Sequence, residues 1–91
     1  MRFYDECALV AESIGALFSE KQRKQFALCA AEELGQYRPF LGMWICHHLL
    51  PHRTYLHNAL AALGQTTSEE MAEYLIAFAH QYWKLKYADL L

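Results

Sequence analysis

Four of the chain's five histidines and one of its three cysteines fall in the stretch CHHLLPHRTYLH, residues 46–57. Imidazole and thiol groups at this density could ligate a metal, form a cysteine–histidine nucleophile, or change charge near neutral pH. Spacing narrows the choice. Helical residues three or four apart share a side, which makes His48 and His52 the local pair at ligand spacing, with Pro51 between them. A zinc site needs three or four ligands converging at about 2.0–2.3 Å. The others would have to come from Cys7, Cys29, Glu32, Glu33 or His80, and no CxxC spacing accompanies them. The expectation is therefore no metal and no cofactor. His48 and His52 stand as the alternative ligands of a histidine-based metal or small-ligand sensor. Cys46 and His47 are adjacent and diverge by about 100° on a helix, so no thiolate nucleophile is indicated. The histidines are expected to pack, one nitrogen bonded and the other near water.

Those residues must be positioned by helices, because hydrophobic positions recur at helical spacing throughout. Phe3, Cys7, Val10, Ile14 and Leu17 step by four and three along one face. Ser19 opens SEKQ, where Gln22 can complete a reciprocal cap, and the second helix is expected to run to Leu34 with Gly35 in the left-handed cap position. Pro39 suits the first turn of a third helix, and Pro51 starts a fourth or kinks the third. Gly64 closes that segment, and Thr67 with Glu70 forms another cap before a last helix to about Ala88. No β alternation appears. The pattern predicts an all-α fold, a compact bundle of about five short helices in a single domain over residues 1–91.

Composition excludes several classes. The net charge of −2 opposes broad attraction to nucleic acid or acidic membranes. No apolar run approaches the roughly 18 residues of a membrane span, and Asp5, Glu6 and Glu12 interrupt what could pass for a signal peptide. Three cysteines without paired spacing fit a reducing compartment, and a cytoplasmic location is expected. Paired carboxylates, a glycine-rich phosphate loop and GxSxG are absent, so no catalytic residue is assigned.

What remains is a surplus of apolar surface. Apolar types make up 55% of the 91 residues and aromatic types 14%, yet a chain of this length buries only about 60–65% of its unfolded surface. On the last helix Met71, Leu75, Phe78, Tyr82 and Leu85 line one side, enough to pack it on a bundle. Ile76, His80, Trp83 and Tyr87 repeat the same spacing on a second side and are expected to meet a partner or a second copy in a symmetric dimer. Lys21, Arg23 and Lys24 crowd the start of the second helix, against its dipole, and could form a basic corner for an acidic protein. The expected function is non-enzymatic protein binding by a small helical adaptor, an inhibitor or immunity-type antagonist, or an accessory chaperone.

Overall fold

The computed structural model describes residues 2–90, and side chains as far as residue 88. Helix α1 spans Arg2–Ala16, α2 Glu20–Leu28, α3 Thr54–Ala62 and α4 Ser68–Leu90. Residues 31–52, between α2 and α3, are helical but irregular, built of 3-10 and wide π turns. No strand occurs among the described residues, so the chain is all-α, and its Cα radius of gyration of 12.6 Å is close to the roughly 12 Å of a compact chain this long.

Local signals set most of the boundaries. Ser19 and Gln22 exchange backbone and side-chain hydrogen bonds at 3.0 and 3.2 Å, capping α2. Thr67 and Glu70 do the same at 3.1 Å for α4. Gly64, at φ +97°, lets Gln65 N–H reach the Leu60 carbonyl and Gly64 N–H reach that of Ala61, closing α3 with two otherwise orphaned carbonyls satisfied. The expected end of α2 is corrected. It stops at Leu28, Cys29 is extended, and Gly35 has no left-handed backbone. One reason is tertiary, since buried His80 donates from Nε2 to the Cys29 carbonyl at 2.8 Å, and one is local, since the Glu33 carboxylate accepts from Ala30 N–H at 2.9 Å and caps the next turn.

Helix α4 is central, touching α1, α2, α3 and the 31–49 stretch. Its buried residues run in two rows, Met71, Leu75, Ala79, Trp83 and Ala72, Ile76, His80. Each step of four advances about 40° around a helix, so the buried band winds instead of following one straight side. It winds because its cover changes along its length. The first turns face residues 38–46, His80 reaches the end of α2, and Trp83 reaches α1. No helix among the described residues is long and apolar enough to cross a membrane.

Candidate interaction surface

The expected partner surface on α4 is corrected first. Ile76, His80 and Trp83 are 4%, 3% and 6% exposed, and Tyr87 is half-buried. Trp83 donates from Nε1 to the Ala11 carbonyl at 2.7 Å. Its ring lies so close to Gly15 that a Cβ there would collide with it. The Arg23 guanidinium covers the ring, 5.1 Å from its centroid, while Arg23 Nε donates to the Gly15 carbonyl at 3.2 Å. Buried tryptophan needs a partner for its N–H, and α1 provides one. In the opposite stripe, Met71 and Leu75 are buried, Phe78 and Tyr82 half-buried, and Leu85 exposed. The basic corner shrinks with this arrangement, since Arg23 belongs to the Trp83 site. Lys21 and Lys24 remain exposed beside Leu28 and Glu33.

The histidine stretch is reversed in the same way. His47, His48, His52 and His57 are all exposed, so packing of His48 and His52 into the core does not occur. No group of three or more metal-ligating side chains comes together among the described residues. Pro51 explains much of the geometry. Lacking an N–H and crowding the carbonyl four residues back, it leaves the preceding turn wide, and Leu50 N–H bonds to the Ile45 carbonyl five residues back. Leu41, Ile45, Leu49 and Leu50 are all turned inward. The outer side is left to Phe40, Met43, His47 and His48, with Trp44 half-buried among them.

Phe40 is 56% and Met43 63% exposed. They border a shallow depression of about 310 Å³ with Pro39, Trp44, His47 and His48. Two further depressions flank it. One, of about 480 Å³, lies where the segment meets α4 and includes Met43, Cys46, His47 and Glu69. The other, of about 450 Å³, lies toward α1 and includes Ser13, Trp44, His48, His52 and Arg53. Shared walls join the three into one face across the segment.

The charges on this face are largely settled within the chain. Arg38 pairs with Glu73 at 2.8 Å, and Arg53 with Glu6 at 2.9 Å. The Cys46 thiol donates to the Ser68 carbonyl at 3.5 Å. Burial, and secondarily the negative charge of Glu69, pushes its pKa up. It is thus a poor thiolate source. The face has exposed aromatic and thioether groups and imidazole edges, and no nucleophile–base pair is assembled on it among the described residues.

Sequence reasoning placed Phe40 and Met43 on the third helix without assigning them a role. A usable signal was present, since Leu41, Ile45 and Leu49 step by four and leave residues 40, 43, 44 and 47 off the buried row. Glu69 had no such signal, because only folding brings α4 beside residue 47. Comparison with family models, curated proteins and solved structures finds no match to this chain.

Proposed function

We propose that this chain is a non-enzymatic protein-binding protein, an adaptor, inhibitor or antagonist, or accessory chaperone, acting through the exposed face of residues 38–52. The observation that carries the reading is the pairing of Phe40 and Met43, each more than half exposed, beside Trp44 on a peripheral segment. Large apolar side chains grouped in this way characterise contact surfaces, and methionine adapts to varied partners. A protein suits the face better than nucleic acid, because it has no lysine and both of its arginines are already paired. Three free cysteines support work in a reducing compartment, the cytoplasm.

A photoactivatable residue tests this when placed at position 43 and, as a control, at position 24 in the exposed part of α2. The expected result is a discrete protein adduct from position 43 that Phe40→Glu abolishes. Adducts from position 24 alone would overturn the assignment and move binding to the lysine corner.

A further inference from the structure

Sulfur chemistry sets one residue of the interaction face apart. Among the described residues five side chains carry sulfur: Cys7, Cys29, Met43, Cys46 and Met71. Oxidation of a thiol proceeds through its thiolate, and all three cysteines are placed against that. Cys7 is fully buried, Cys29 donates from Sγ to the Phe26 carbonyl at 3.2 Å, and Cys46 donates to the Ser68 carbonyl at 3.5 Å. Burial raises the pKa of each, with Glu6, Glu33 and Glu69 respectively adding to the effect. A thioether has no proton to lose, so its access to oxidant follows its exposure. Met71 is 1% exposed and Met43 63%. Met43 also borders both the depression that includes Phe40 and Trp44 and the one that includes Glu69. The most accessible sulfur therefore lies where contact is made.

We propose that Met43 is an oxidation site through which hydrogen peroxide turns the contact face off. The proposal rests on the interaction-face reading above. A lone pair on Met43 Sδ attacks one peroxide oxygen, and the S–O bond forms as the O–O bond breaks. The departing hydroxide takes the proton of the transferred oxygen and leaves as water. Sulfur loses two electrons and the peroxide gains them. The product, a sulfoxide, sets a polar S–O group in the middle of an apolar patch. Covering that group without supplying a hydrogen-bond donor opposes contact.

Timed exposure of the full-length chain to hydrogen peroxide at near-neutral pH, read by peptide mass spectrometry, tests the site without any partner. Met43 is expected to gain one oxygen about tenfold faster than Met71, with the cysteines still reduced and the circular dichroism unchanged, since the side chain projects outward. Met1 lies outside the described residues, and its peptide is read separately. Oxidation of Met71 or of any cysteine in step with Met43 would overturn the proposal. The effect on contact is read with a photoactivatable residue at position 47 and lysate as the source of partner, after the peroxide has been removed. The oxidised chain should give about tenfold less adduct, a methionine sulfoxide reductase with its thiol reductant should restore it, and Met43→Leu should keep its adduct through the same treatment. An adduct indifferent to oxidation, or one lost equally from Met43→Leu, would also overturn the proposal. If the untreated chain gives no adduct from position 43 or 47, the interaction face falls and takes this role with it; an adduct that survives oxidation leaves the face standing and removes Met43 as its control.

Discussion

The chain's two tryptophans occupy opposite surroundings. Trp83 has its N–H bonded to Ala11, one part of its ring against Gly15, and Arg23 over it. Trp44 is half-buried, makes no hydrogen bond among the described residues, and forms part of two open depressions. Both sit on helical segments rich in apolar residues. The difference lies in the position of each segment. α4 is surrounded and can bury two adjoining rows, whereas the 38–52 segment is peripheral and has only one row covered. The same residue type is cement in one place and bare contact area in the other.

Substitution of each tryptophan gives the largest separation. Trp83→Ala should cost about 3–5 kcal/mol in urea unfolding, a large share of the total for a domain this small. Trp44→Ala should cost about 1–2 kcal/mol, in keeping with its partial burial. Equal losses would erase the distinction. Gly15→Ala sharpens it: in an exposed helix interior that change stabilises by up to about 1 kcal/mol, but against the Trp83 ring it should destabilise by about 1–3 kcal/mol. A more stable variant would show that the ring yields.

Thiol labelling separates the same two environments by rate. Cys7 is fully buried, and its pKa is pushed up to about 11, chiefly by burial and secondarily by Glu6. It should resist alkylation until the protein unfolds, while Cys46 reacts slowly in the native state, as mass spectrometry of timed samples would show. Native-state modification of Cys7 ahead of Cys46 would contradict this assignment. The smallest effect is electrostatic. Glu12 accepts from Lys86 and from the Tyr82 hydroxyl, at 2.6 Å for the latter, beside Trp83. These bonds, with that from Lys86 the stronger influence, lower its pKa in the folded state. Its contribution is therefore present above the unfolded carboxylate value of about 4.3 and is lost as pH falls through the lower folded value. For so exposed a pair it amounts to about 0.2–1 kcal/mol. Glu12→Gln should flatten that part of the acid limb in urea titrations; an unchanged limb would remove Glu12 as a contributor.

Much of the fold could be read from local chemistry. Both caps, Ser19–Gln22 and Thr67–Glu70, and the Gly64 turn form as their residue types predict, because each satisfies backbone groups within a few positions. The inward stripe of α1 holds at Cys7, Val10 and Ile14, which are fully buried, with Phe3 half-buried, whereas Leu17 lies past the end of the helix and is exposed. The interaction surface was less legible. Apolar spacing marks a helix face without saying how many neighbours cover it, so a straight row on α4 was preferred to the winding band that its successive partners select. The histidines looked like core because they lie among leucines, yet the wide turn before Pro51 gives the interior to Leu49 and Leu50. The misses on α2 and α4 trace to contacts between residues distant in sequence, and the histidine miss to the local turn before Pro51.

The bond from His80 to the Cys29 carbonyl links the end of α2 to a residue on the last helix. During synthesis α2 leaves the ribosome well before position 80 exists. Up to that moment residues 29–34 have no His80 to draw the chain out of the helix, and Gly35 offers a local stopping point. The His80 bond at the end of α2 thus depends on a residue made more than fifty positions later, whereas the Glu33 cap on Ala30 is available as soon as its own turn has been made.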